Sequence, residues 1–99
     1  MRTISGGRGE GKTTTLIKIS ADSGAYIVCF SMKEADRVHM EAIKMGLKIP
    51  LPITYDEFIS RHYSPKGVRS LLIDNVDMLL QYIAKGTPIE GYSLTPSGE

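Results

Sequence analysis

The chain has one cysteine, Cys29, in 99 residues, so it can form no disulfide within itself. Cys29 lies in the apolar run AYIVCFS, where a thiol behaves as a small hydrophobe rather than as a nucleophile or metal ligand. No apolar run approaches the ~18 residues that a membrane span needs. The first residues also lack the charged-then-apolar pattern of a secretory signal, and the cytoplasm is the compartment these absences favour. Charge of either sign is not in excess: 12 basic against 11 acidic residues leave a formal +1. No run of Lys or Arg is of the kind that tracks a phosphate backbone, so nucleic acid is neither implied nor excluded. His39 and His62 have no Cys or His partner at ligand spacing and read as surface or packing residues. No internal repeat or linker breaks the chain.

What is present is ordinary globular composition, 41% hydrophobic and 23% charged. A fold of this size buries only somewhat more than roughly 60% of its unfolded surface, which allows one core. Residues 1–99 are therefore read as one α/β domain, with a tail from about residue 96 that frays.

The pattern along the chain alternates. Residues 1–5 read as a short strand stopped by glycines, and a helix begins near Lys12, with Leu16 and Ile19 sharing a face with Thr15. AYIVCFS follows the Ser23-Gly24 break and has the length of a buried strand. Ser31 stands three residues before Glu34, the spacing of a capping box, and Ala35, Val38, Ala42 and Met45 fall at helical intervals up to Gly46. Pro50 and Pro52 leave room for a short strand centred on Ile53. Thr54 and Glu57 repeat the capping spacing and start a helix reaching about Arg61 or His62. A strand over 68–73, a helix ending at Lys85-Gly86 and a last strand over 89–94 complete the series. Five apolar strands alternating with four helices predict a three-layer α/β/α sandwich around a mostly parallel sheet with right-handed crossovers. Met32, Met40, Met45 and Met78 read as core or semi-exposed filler, and Tyr55, Tyr63, Tyr82 and Tyr92 as packing residues.

The first strand–helix junction carries the chemistry. Gly6, Gly11, Lys12 and Thr13 match G-x-x-x-x-G-K-[ST] between the expected strand and helix. A loop that wraps phosphates turns its N–H groups inward and needs close approach and unusual backbone angles, which Gly6, Gly7, Gly9 and Gly11 permit. The helix N-terminus adds its dipole to the same anion. The expected nucleotide-binding residues are Gly6, Gly7, Arg8, Gly9, Glu10, Gly11, Lys12, Thr13 and Thr14, with Lys12 on the β- and γ-phosphates and the Thr13 hydroxyl on Mg²⁺. Arg8 and Glu10, between the glycines, are the least determined of these. A second element, Leu71 to Asp74, is an apolar strand that ends in a carboxylate on the side where parallel sheets bind ligands, and it makes Asp74 a candidate Mg²⁺ ligand.

These residues resemble the P-loop NTPases, and LLIDNVDMLL is similar to the Walker B region of their AAA and helicase-like branch; the joint pattern resembles compact ATPases encoded by phages and mobile elements. The resemblance implies ATP and Mg²⁺ as ligands and Lys12, Asp74 and the residue after Asp74 as the catalytic set. Many relatives have a water-activating Glu at that last position, whereas this chain has Asn75, which can orient water but cannot accept its proton. Asp77, Glu34 and Glu10 are the carboxylates left to substitute. The resemblance also makes Thr95, or Ser93, on the last strand a γ-phosphate sensor. It implies an arginine finger from outside the cradle, supplied by Arg61, Arg69 or Arg8 of a neighbouring subunit or by a partner protein. Three functions are compatible: a slow Mg²⁺-dependent ATPase of phage or mobile-element DNA metabolism, a nucleotide-binding regulatory or assembly subunit that does not hydrolyse, and a small P-loop kinase.

Overall fold

The computed structural model describes residues 3–4, 11–63 and 67–95. They form helix α1 (Lys12–Ser23), strand β1 (Tyr26–Cys29), helix α2 (Met32–Lys44), strand β2 (Ile53–Thr54), helix α3 (Tyr55–Ser60), strand β3 (Leu71–Ile73) and helix α4 (Val76–Ala84). The strands make one parallel sheet in the order β2-β1-β3. Val28 is opposite Ile53 on one side and Ile73 on the other.

The alternation of β1 decides where the helices go. Ile27 and Cys29 pack with Leu16 and Ile17 of α1 and with Ala35, Val38 and Ala42 of α2. Val28, on the opposite face, packs with Tyr55 of α3 and Leu79 of α4. Successive strand residues face opposite ways, so β1 needs a helical layer on each side. Ile17, Ile27, Val28 and Val38 are at most 1% exposed, and each contributes roughly 1.5–3 kcal/mol by leaving water. Ile4 and Leu72 pack against the α1/α2 cluster.

Each helix start and stop has a local cause. Gly24 adopts φ 79°, a left-handed conformation that suits glycine, and its N–H closes α1 on the Ser20 carbonyl at 2.8 Å. The buried Ser20 hydroxyl donates to the Ala25 carbonyl at 2.6 Å, tying α1 to the chain entering β1. Ser31 caps α2, and Thr54 with Glu57 forms a reciprocal capping box at α3.

The sheet is smaller than the sequence pattern implies: among the described residues it has three strands, not five. Of the first expected strand, Thr3 and Ile4 are described and neither is in a strand; the rest lies outside the described residues. The last expected strand does not form, because residues 89–94 are exposed and unpaired with the sheet. Extended-friendly residues make a strand only where a free edge and an apolar layer receive them. The α1 face also differs from expectation. It buries Leu16, Ile17 and Ser20, while Thr15 is exposed and Ile19 half-buried, so Ile17 rather than Ile19 is the second anchor. Met32, Met40 and Met78 are exposed.

Candidate functional site

Strands of a parallel sheet all point their carboxyl ends the same way, and the helices that follow begin at that edge. Here the edge collects Cys29 and the start of α2 from β1, the Thr54-Tyr55 junction from β2, and Asp74 from β3. The Asp74 N–H continues the ladder to the Val28 carbonyl at 3.0 Å, so Asp74 stands beside Cys29 at the end of the central strand. Because α1 runs down to the amino end of β1, its own first residues, Lys12 and Thr13, lie at the carboxyl edge.

The electrostatics show which groups share this edge. Burial raises the Asp74 carboxyl above its ordinary value; the negative charge of Glu34 adds to the rise, and Arg37 and Lys12 oppose it. Asp74, at the end of β3, is thus within Coulombic reach of Lys12 from α1 and of Glu34 and Arg37 from α2. Glu34 receives the Arg37 guanidinium through bonds of 3.0, 3.2 and 2.9 Å, and this pairing holds its carboxyl below its ordinary value. Burial, with Asp74 and Glu34 nearby, pushes the Cys29 thiol up to about 12, which keeps it a neutral packing group.

Two features shape the ends of this site. Gly11 takes φ 79° at the head of α1, and the Thr15 N–H and hydroxyl both donate to its carbonyl. No side chain among the described residues caps α1, and its first turn holds no acidic residue. On the other flank, Asn75 follows Asp74 at φ 58°, ψ 69°. Asparagine is among the few non-glycine residues that tolerate this left-handed conformation, so the backbone gives its own reason for Asn75 at this position. The Tyr55 hydroxyl donates to the Asp74 and Asn75 carbonyls at 2.5 and 3.0 Å.

Of the expected site residues, Gly11, Lys12, Thr13, Thr14, Asp74 and Asn75 are described and flank this edge. Gly6, Gly7, Arg8, Gly9 and Glu10 lie outside the described residues. Thr95 and Ser93 are exposed in a segment that forms no strand, so the strand meant to carry a sensor is not formed. Arg61 and Arg69 are exposed; Arg69 precedes β3 and so stands at the end away from Asp74. Of the two described substitute carboxylates, Glu34 acts on Asp74 and Asp77 acts on Tyr55, while Glu10 lies outside the described residues.

Sequence reasoning missed Arg37 and Tyr55. The i,i+3 spacing of Glu34 and Arg37 on α2 was the available signal for the first. No local signal existed for Tyr55, whose bonds span 19 and 20 residues. His39 and His62 both line a cavity of about 380 Å³ between α2 and the segment after α3, which Tyr26, Asp36, Leu51 and Tyr63 also line. Lys12, Thr13, Glu34, Asp74 and Asn75 do not line it.

Hydroxyl and carboxylate oxygens are donors of the kind that hard cations take. Thr13 offers a hydroxyl and Asp74 a carboxylate; among the described residues no group of three His, Cys, Asp or Glu gathers to hold a metal alone. Among the described residues, no helix is long and apolar enough to cross a membrane. Compared with protein-family models, with curated proteins and with solved structures, the chain matches none.

Proposed function

We propose that the chain binds a nucleoside triphosphate, ATP in the first instance, with Mg²⁺, and hydrolyses it slowly. The observation that supports this reading is that Lys12, at a helix start with no side-chain cap among the described residues, and Asp74, after the parallel strand β3, both stand toward the carboxyl edge of the sheet. In this reading the α1 N-terminus and Lys12 take the β- and γ-phosphates. Thr13 and Asp74 hold Mg²⁺, which when bound neutralises charge on the phosphate oxygens. The water that attacks the γ-phosphorus gives its proton to Glu34 as the bond to the β-phosphate oxygen breaks, leaving ADP and phosphate. Asn75 orients that water and takes no proton. Turnover is slow because the arginine that meets the developing charge must come from another copy or a partner.

A second reading, a nucleotide-binding subunit that does not hydrolyse, draws on Asn75. Its left-handed backbone favours an amide side chain where relatives of the P-loop type carry the base.

Calorimetry of Mg²⁺-ATP binding, followed by phosphate release on the same sample, tests both. Binding that disappears in Lys12→Ala, with release in the wild type, is the expected result. Binding without release selects the second reading, and absence of binding overturns both.

A further inference from the structure

Tyr55 is the largest fully buried side chain among the described residues, at 0% exposure, and it is the first residue of α3. A tyrosine ring is buried for its area, but its hydroxyl must find a partner there. Here the partners are two consecutive backbone carbonyls, those of Asp74 and Asn75. In an extended strand consecutive carbonyls point in opposite directions. They converge on one donor here because Asn75 turns left-handed between β3 and α4.

The rest of the turn is held as well. The Asp74 N–H donates to the Val28 carbonyl at 3.0 Å, and the Asn75 carbonyl also accepts the Leu79 N–H at 3.1 Å. Tyr55 itself has little freedom. Its ring meets Phe30 and Tyr82 edge-to-face, each at 5.8 Å between centroids. The Thr54–Glu57 capping box fixes the helix turn from which it projects. A residue in an uncommon backbone region persists where its surroundings over-determine it, and such residues gather at functional sites.

We propose that Tyr55 is the positioning residue of the acidic turn: its hydroxyl locks the peptide units of Asp74 and Asn75, and so sets the carboxylate and the amide against the Mg²⁺-nucleotide. The assignment rests on the nucleotide-binding reading above. It adds that the β2–α3 junction, distant in sequence from both nucleotide-binding elements, is part of the site's geometry. Tyr82 provides the internal control, because it shares the same aromatic cluster but its hydroxyl donates to the Asp56 carboxylate at the surface.

The test compares Tyr55→Phe and Tyr82→Phe with the wild type. Each variant keeps the ring and removes one hydroxyl. Supporting groups of this kind typically alter metal affinity or activity by about 10- to 100-fold when lost. The expected result is that Tyr55→Phe weakens Mg²⁺-dependent ATP binding by that factor, leaves ATP binding in EDTA unchanged, and that Tyr82→Phe changes neither. Equal Mg²⁺-dependent affinity in Tyr55→Phe and wild type overturns the assignment, as does an equal loss with and without Mg²⁺. Amide hydrogen exchange gives a readout that needs no ligand. Faster exchange at Asp74 and Leu79 in Tyr55→Phe than in Tyr82→Phe, after correction for global stability, supports the lock; equal exchange overturns it. If the wild type binds no Mg²⁺-ATP, the nucleotide reading fails and the exchange measurement alone still decides whether Tyr55 holds the turn.

Discussion

Helices α1 and α2 both start above the carboxyl edge of the sheet, and they treat their free backbone N–H groups in opposite ways. In α2 the Ser31 hydroxyl accepts the Glu34 N–H at 3.2 Å, and Glu34 places a negative charge in the first turn. In α1 the corresponding position is Gly11, with no side-chain cap and no acid in the first turn among the described residues. A cap of the α2 kind stabilises a helix by about 1 kcal/mol. A helix start that lacks this stabilisation keeps its donors and dipole for an anion from outside. The two starts differ by only a few side chains, yet among the described residues one carries a side-chain cap and the other does not.

The sharpest way to break this comparison is at the carboxylate the two helices share. Asp74→Asn is expected to abolish Mg²⁺-dependent phosphate release while raising the stability of the ligand-free protein. The sign follows from burial, which raises the Asp74 carboxyl above its ordinary 3.8. A carboxyl whose folded-state value is raised binds its proton more tightly in the folded chain. Its contribution to stability is full below the unfolded value and is lost as pH rises through the folded one. Thermal melts across pH 3–7 should therefore show wild type losing stability relative to Asp74→Asn as pH rises. A variant that is less stable at pH 7 would mean that Asp74 is a structural rather than a functional acid.

Glu34 separates the two roles of the α2 start. Glu34→Gln keeps the backbone cap to Ser31 but removes the proposed proton acceptor, so on that proposal phosphate release is expected to fall roughly 100-fold with ATP affinity little changed. Its ion pair with Arg37 is exposed, side chains 38% and 55% accessible, and is worth at most about 0.5 kcal/mol. A urea titration should thus barely move. Release at the wild-type rate in Glu34→Gln would remove Glu34 from the chemistry.

The smallest effect belongs to the cap itself. Ser31→Ala is expected to cost about 1 kcal/mol in urea unfolding and to leave ATP affinity unchanged, because the proposed phosphate site uses the α1 N–H groups and not those of α2. A matching loss of ATP affinity would show that the two helix starts act as one anion site.

Much of this was legible because its causes are local. The Ser31–Glu34 and Thr54–Glu57 spacings, the Gly24 and Gly46 stops and the apolar length of residues 26–29 state where α1, α2, α3 and β1 begin or end, since capping and positive φ depend on a few neighbouring atoms. The expected strand over 89–94 misled for the complementary reason: its residues favour extension, but pairing depends on an edge and a layer that no local pattern reports.

By itself, the amino-acid sequence determined the alternation of helix and strand, the glycine-lysine-threonine junction at Gly11, Lys12 and Thr13, and the acid that closes an apolar strand at Asp74. Tertiary structure alone decided that the sheet among the described residues has three strands in the order β2-β1-β3, and that Ile17 rather than Ile19 anchors α1. It also brought Lys12, Glu34 and Arg37 into the field of Asp74, and the Tyr55 hydroxyl to a turn 19 residues away. The reason is that charges and hydrogen-bond partners act through space, and the distances between them are fixed only once the two faces of β1 have been covered.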